Sequence, residues 1–93
     1  MSTAKATATI AAQNTGTEWA ILRGCFNVSL SGVNGHTITL QRSFDGGSTI
    51  LDVKAYSADA EEVGNEPEEE VSYRLFCKTG AFGTGNVEAR ISR

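Results

Sequence analysis

The sequence has little of several things that whole classes of protein depend on. Its 93 residues include one proline, one histidine and two cysteines, and no apolar run is long enough for a membrane-spanning helix. One histidine, His36, and two thiols supply few ligands for a zinc site. Residues 1–7 also lack the apolar segment of a secretory signal peptide. These absences predict a chain that stays in the cytoplasm or is assembled there into something larger, with no membrane partner.

Positive charge is both scarce and scattered. Eight Lys and Arg residues stand against eleven Asp and Glu residues, which gives a net charge of −3. The basic residues form no run, whereas nucleic-acid phosphates are bound by clustered Lys and Arg. We therefore predict that nucleic acid is not a partner.

Glycine and alternating apolar residues are what the chain has instead. Ten glycines in a chain of this length indicate many tight turns. Several segments alternate apolar and polar residues, which is the period of a half-buried strand. The pattern predicts an all-β protein, a small antiparallel β-sandwich or barrel of six or seven short strands joined by hairpins. The clearest strands cover residues 19–31, 36–44, 49–56, 71–78 and 86–92; residues 1–15 form an N-terminal arm or a first strand, ahead of a single domain over residues 16–93.

The alternation also predicts which side chains face the core. The predicted inward residues are Leu22, Phe26, Val28, Leu30, Ile38, Leu40, Phe44, Val71, Tyr73, Leu75, Cys77, Val87, Ala89 and Ile91. Gly24, inside the strand at 19–31, indicates a bend, a bulge or close backbone packing. Cys25 falls on the polar face of the same strand, opposite in direction to Cys77. Two free thiols in a reducing compartment, or a disulfide like that of immunoglobulin domains, are the two interpretations that stay open.

The segment Ser43–Ile50 (SFDGGSTI) resembles the Asp-box of sialidase-type propellers, with Ile50 in place of the final aromatic residue. The physical sense of such a motif is local. The Asp45 carboxylate accepts hydrogen bonds from turn amides, glycine supplies positive φ, and hydroxyls hold the turn together. We predict a structural hairpin here, with no chemistry of its own.

Residues 57–70 interrupt the alternation. They hold seven acidic residues and Pro67, the only proline. This composition predicts a solvated acidic loop, with a short edge strand near Glu62 and Val63. Carboxylates of this kind also suit Ca²⁺, but the spacing of a calcium-binding loop is absent, so we predict no metal.

No arrangement of acids, bases and nucleophiles in the sequence matches a catalytic motif. The Gly-rich segment Gly80–Gly85 looks like a phosphate-binding loop, but it joins two predicted strands and no helix follows. We expect a hairpin there, with Phe82 exposed at its tip. The prediction is therefore a protein that is not an enzyme and has no cofactor.

Three strings resemble a pattern of small tailed-bacteriophage virion proteins. They are FNVSLSG at 26–32, TITLQRSFDGGST at 37–49, and Glu66-Pro67-Glu68 followed by Tyr73-Arg74-Leu75. The resemblance covers about residues 18–93. It implies a virion structural protein, foremost a capsid decoration (cement) protein that binds and stabilises the shell of major capsid protein, with no catalytic residues. A head–tail or tail-fibre component is the alternative within the virion.

That role implies contacts with the major capsid protein or other virion proteins, and a homo-oligomer on the particle surface. The residues predicted to make contacts are Lys5, Thr7 and Thr9 of the arm, Trp19, Glu68, Glu69 and Glu70 of the acidic loop, and Phe82. Partial burial at the sandwich edge is the other interpretation of Trp19. A carbohydrate-binding module is a further alternative, for which Trp19, Tyr56 and Phe82 are the candidate aromatic platforms.

Overall fold

The computed structural model describes residues 5–33, 35–83 and 85–93. The regular secondary structure in these ranges consists of strands alone, so the all-β prediction is confirmed. The seven strands are β1 (Lys5–Ile10), β2 (Thr15–Gly16), β3 (Ala20–Ser31), β4 (Ile38–Ser43), β5 (Leu51–Tyr56), β6 (Ala60–Cys77) and β7 (Val87–Ser92).

All seven strands belong to one antiparallel sheet in the order β1-β7-β3-β6-β4-β5, with the short β2 paired to the end of β6. The two central strands have different neighbours in their two halves. β3 pairs with β7 over residues 27–31, and β6 pairs with β4 over residues 72–76. The sheet therefore forms two layers. The β1 layer contains β1, β7, the second half of β3 and the first half of β6. The β5 layer contains β5, β4, β2, the first half of β3 and the second half of β6.

A large bulge divides these halves. Leu22 pairs with Val71 and Gly24 pairs with Glu66. Four residues of β6, 67–70, therefore lie opposite a single residue of β3, Arg23. A bulge bends the strands that carry it, and strands that bend in this way pass from one packed layer to the next. The register shift at Gly24, where φ is 69°, confirms the bulge among the alternatives predicted for this glycine, and no atom of the described residues lies close enough to support close backbone packing.

One apolar core lies between the layers. Its fully buried members come from both of them and include Ile10, Leu30 and Ile91 of the β1 layer and Ile38 and Leu75 of the β5 layer. The predicted inward residues are all buried except Phe44. The period-two pattern therefore identified the core correctly on β3, β7 and the second half of β6.

Phe44 is the exception, with its side chain 53% exposed. β4 ends at Ser43, so Phe44 already lies in the turn and leaves the face that the alternation assigns to it. Gln41, a polar residue of the same strand, is buried, and its amide donates to Asp52 and accepts a hydrogen bond from Arg74. The alternation fails on β4 because side chains on both of its faces are buried, among them Ile38, Thr39, Leu40 and Gln41.

Residues 5–15, the described part of the predicted arm or first strand, begin with β1. It pairs with β7 along its whole length, from Lys5 opposite Ser92 to Ile10 opposite Val87. Its alternate residues Ala6 and Ile10 are buried in the same core as the rest of the chain. This segment is thus a strand of the domain's own sheet.

The prediction of a solvated acidic loop at residues 57–70 is wrong, because β6 begins at Ala60 and continues to Cys77. Two of its acidic side chains, those of Glu61 and Glu62, have partners on other strands. Ser29 donates to Glu61 and Lys54 to Glu62. Pro67 lies in the bulge, where the ladder with β3 is interrupted, so its missing N–H removes no bond from that ladder.

The connections also differ from the predicted hairpins. Among consecutive described strands, only β4 and β5 pair with each other. β6 and β7 lie on opposite sides of β3, so they do not form the hairpin predicted around the Gly-rich segment. Phe82 is half-buried with its ring 4.5 Å from that of His36, so its predicted exposure is wrong. Turn residues mark where the chain reverses, but they do not determine which strands pair.

Both cysteines are free: Cys25 is exposed and Cys77 is buried, as their positions in the alternation predict. Burial raises the pKa of the Cys77 thiol. The structure thus agrees with the free-thiol interpretation and has no disulfide between them.

The β4–β5 hairpin has the hydrogen bonds that its sequence predicts. The Ser43 hydroxyl donates to Asp45 at 2.7 Å and accepts the Gly47 N–H at 2.8 Å, and Thr49 N–H donates to Asp45 at 2.8 Å. The hydrogen bond from Ser43 and those from Thr49 lower the pKa of Asp45 to about 2. The motif is therefore a turn held by side chains.

Ser43→Ala is expected to lower the free energy of unfolding by about 1–2 kcal/mol, because the Gly47 N–H loses its acceptor in a nearly buried position. Urea denaturation measures this loss. Ser48→Ala, at an exposed position of the same turn, is the control and should stay within about 0.5 kcal/mol of the parent. Equal effects of the two changes would contradict a specific role for the Ser43 hydroxyl.

Candidate protein-binding groove

A groove with a volume of about 230 Å³ opens between β5 and the first half of β6. In the described sheet, β5 has a neighbour on one side only, and so does β6 before its bulge. The two layers therefore meet here along two free edges, and the groove between them reaches down to core residues. Phe26, Leu40 and Tyr73 line the groove, and the rings of Phe26 and Tyr73 lie 4.9 Å apart.

Exposed apolar side chains stand on both sides of this groove. Val53 of β5 is 46% exposed and Val63 of β6 is 72% exposed, and both line the groove. The β4–β5 register shifts between Leu40 and Gln41, which leaves Val53 as the extra residue of a bulge. Val63 pairs with Asn27, at the unpaired edge of the β1 layer. The two valines place apolar surface in water on facing edges.

The apolar surface continues along the β5 layer. Leu51, 41% exposed, lies opposite Arg42 in the β4–β5 pair, and the Arg42 guanidinium is 5.0 Å from the centre of the exposed Phe44 ring. Arg42 also lines the groove, so this surface is continuous with the groove. We call the groove together with Phe44, Leu51, Val53 and Val63 the groove face.

Three polar side chains close one end of the groove. Lys54 donates to Glu62 at 2.8 Å, and the Tyr56 hydroxyl donates to the same carboxylate at 2.9 Å. The hydrogen bonds from Lys54 and Tyr56 lower the pKa of Glu62, and burial raises that of Tyr56. Since each charge at this end has a partner within the chain, recognition by the groove face depends on its apolar side chains.

A buried carboxylate lies beside the other end. Glu66 is 2% exposed, accepts a hydrogen bond from the Tyr73 hydroxyl at 2.5 Å and faces the Arg42 guanidinium at 3.5 Å. The Glu68 N–H donates to it at 3.0 Å. Burial acts to raise the pKa of Glu66, but these hydrogen bonds and Arg42 outweigh burial and lower it. The carboxylate holds the bulge of β6 against Tyr73, a residue of the groove wall.

The chemistry of the groove is that of a binding surface. Within residues 5–33, 35–83 and 85–93, no group of three His, Cys, Asp or Glu residues is placed to hold a metal ion. The walls offer aromatic and aliphatic contacts, and the volume is close to that of one or two side chains. A surface of this kind binds apolar side chains of another protein.

The residues predicted to make contacts lie on separate elements. Lys5, Thr7 and Thr9 are exposed on the outer face of β1, and Glu68 is exposed in the bulge of β6. The side chains of Glu69 and Glu70 lie outside the described part of the chain. Among the described members, no hydrogen bond, ion pair or ring contact joins one to another.

The three aromatic candidates for sugar binding do not present open rings. Trp19 is half-buried with the Arg74 guanidinium 4.5 Å from its ring, as the partial-burial interpretation expects. Tyr56 is 6% exposed, and Phe82 packs on His36. None of these rings offers a flat exposed platform of the kind that a carbohydrate module needs.

Sequence reasoning missed the groove face. Its residues range from Phe26 to Tyr73 and meet only because β3 and β6 pass between layers. One local signal was present, since Val63 is a lone large apolar residue among charged and small neighbours. Val63 pairs with the exposed Asn27, so its side chain lies on the solvent face of the strand and stays in water.

Among the described residues, no helix is long and apolar enough to cross a membrane. Comparison of the chain with protein-family models, with curated proteins and with solved structures finds no match in any of the three.

Proposed function

We propose that this chain is a bacteriophage virion structural protein that decorates the capsid shell and that the groove face is the surface by which it attaches. The three strings that resemble small virion proteins support the role. The observation that carries the attachment surface is the clustering of exposed apolar side chains around one groove that opens onto the core. The proposed partner is the major capsid protein.

The physical advantage of such attachment is burial of surface that water contacts in the free protein. Apolar area contributes about 25 cal/mol for each Å² removed from water, so a few large side chains supply most of the affinity. Val63, Val53 and Leu51 stand at the rim, and the groove between them accepts a side chain from the shell. Repetition of the same contact at symmetry-related sites reinforces the shell.

Val63→Asp is expected to weaken binding to capsids at least about tenfold, because the contact would bury a carboxylate against apolar walls. The measurement is a titration of purified protein onto particles assembled without it, followed by mass spectrometry of the bound fraction. Val63 is 72% exposed, so the free variant should unfold at nearly the parent's temperature.

Ala11→Asp is the control, since it adds the same negative charge at an exposed position after β1. It should bind like the parent. Equal binding by all three proteins would exclude the groove face as the attachment surface. Binding of the parent to isolated tails and not to shells would instead favour the tail alternative and overturn the decoration role.

A further inference from the structure

The sheet ends in two edge strands, β1 and β5, that differ in their readiness to pair with another strand. β5 carries a bulge at Val53, and a bulge twists an edge away from a regular ladder. β1 has none, because its register with β7 is unbroken from Lys5 to Ile10. The outer side of β1 has no strand partner within the described residues. β1 is thus the regular edge of this sheet.

The composition of β1 also suits pairing. It contains only Lys, Ala, Thr and Ile, without proline or glycine. Thr7 and Thr9 face solvent, while Ala6 and Ala8 face the core side. An unbroken edge with free N–H and C=O groups is a template for a further strand.

We propose that two copies of this chain join through their β1 edges, antiparallel about a two-fold axis at Thr7. In this register Thr7 lies opposite its own copy, Lys5 lies opposite Thr9, and Ala6 lies opposite Ala8. Directly opposed residues in an antiparallel pair share a face, so the outer and core faces of both sheets continue across the axis. A two-fold axis makes the contact closed, and the product is a dimer.

Charge complementarity selects this register. Glu88 of β7 accepts a hydrogen bond from Thr9 at 3.0 Å, so it lies directly behind that position of β1. Lys5 of the second copy, opposite Thr9 of the first, would extend over Thr9 toward Glu88 of the first copy. The backbones of Lys5 and Glu88 would then be two strand spacings apart, about 10 Å. Within the described part of a single copy, Lys5 has no ion pair.

Lys5 and Glu88 of the same copy do not form this pair. Lys5 lies opposite Ser92, four positions along β7 from Glu88, which is about 13 Å at the rise of a strand. The ion pair therefore forms only between copies. Two such pairs arise, one on each side of the axis.

The test is the mass of the free protein by analytical ultracentrifugation over about 10 µM to 1 mM, the range in which weak dimers form. The parent is expected to shift from monomer to dimer. Thr7→Lys, which opposes two ammonium groups on the axis, is expected to raise the dimer dissociation constant at least about tenfold. Ser57→Lys adds the same charge at an exposed position between β5 and β6 and should leave the dimer intact.

A charge exchange tests the register. Lys5→Glu and Glu88→Lys should each weaken the dimer, because each places like charges together, and the double variant should restore it. A parent that stays monomeric to the highest concentration, or a dimer that Thr7→Lys leaves unchanged, would overturn the proposal. Failure of the double variant to recover would overturn the register. Because these readouts use free protein, they are independent of the proposed capsid role.

Discussion

Replacing Glu66 by alanine is expected to lower the free energy of unfolding by about 2–4 kcal/mol, although the residue lies in the most acidic part of the sequence. The change leaves the buried Tyr73 hydroxyl without its acceptor and removes the partner of the Glu68 N–H. It also empties space beside the bulge, where Glu66 is 2% exposed. Urea denaturation at neutral pH measures the effect.

Glu68→Ala is the matched control for this change. Glu68 is exposed, and its contribution to the cluster is a backbone N–H that alanine keeps. We expect it to stay within about 0.5 kcal/mol of the parent. If both variants lose the same stability, the effect belongs to the net charge of the segment and the cluster around Glu66 contributes nothing specific.

The same carboxylate makes stability depend on pH. The pKa of Glu66 is lower in the folded protein than the ordinary 4.5, so its contribution is fully present above that value. It is lost as pH falls through the lower, folded pKa, because the folded carboxylate must then take up a proton. The stability difference between the parent and Glu66→Gln should therefore be largest at neutral pH and shrink in acid. A difference that does not change between pH 7 and strong acid would contradict this.

Gly32→Ala is expected to lower the free energy of unfolding by about 2–5 kcal/mol. Gly32 has a φ of 76°, which disfavours any residue with a Cβ. A Cβ there would also lie 2.5 Å from the Asn86 carbonyl oxygen, a backbone atom that cannot rotate away. The turn after β3 would have to move from the start of β7.

Gly24→Ala separates the cost of a positive φ from the cost of the close approach to Asn86. Gly24 has a similar φ of 69°, but a Cβ there meets no atom within 4 Å. It should cost only the conformational part, about 1–2 kcal/mol. Equal losses for the two variants, measured by thermal and urea denaturation, would show that the close approach to Asn86 is not a constraint.

The period-two pattern predicted the core because burial in a sandwich repeats at every second residue, whatever the strand order. The pattern failed at residues 57–70, where acidic residues and a proline predict a loop although most of the segment forms a strand. Glu61 and Glu62 lie in a strand because β3, distant in sequence, pairs with their backbone, and side chains of β3 and β5 bind their carboxylates. Pro67 interrupts the alternation in sequence but falls in a bulge, where a proline costs little.

The site was harder to predict than the fold. A groove between two layer edges depends on which strands pair, and turn residues do not carry that information. Phe44 illustrates the difficulty, since its parity assigns it to the core while the hairpin that follows places it in solvent. Lys5, Thr7 and Thr9 were singled out as an arm, and the structure places them on a strand edge where contact with another chain needs no rearrangement.

Cryo-electron microscopy of particles carrying this chain, at a resolution that defines side chains, tests the central proposal most directly. We expect density for the chain at symmetry-related sites on the shell, with Val53 and Val63 covered by the major capsid protein and a shell side chain in the groove. A chain bound to the shell with the groove face open to solvent would contradict the attachment surface. A chain found only in the tail, or absent from the particle, would contradict the decoration role itself.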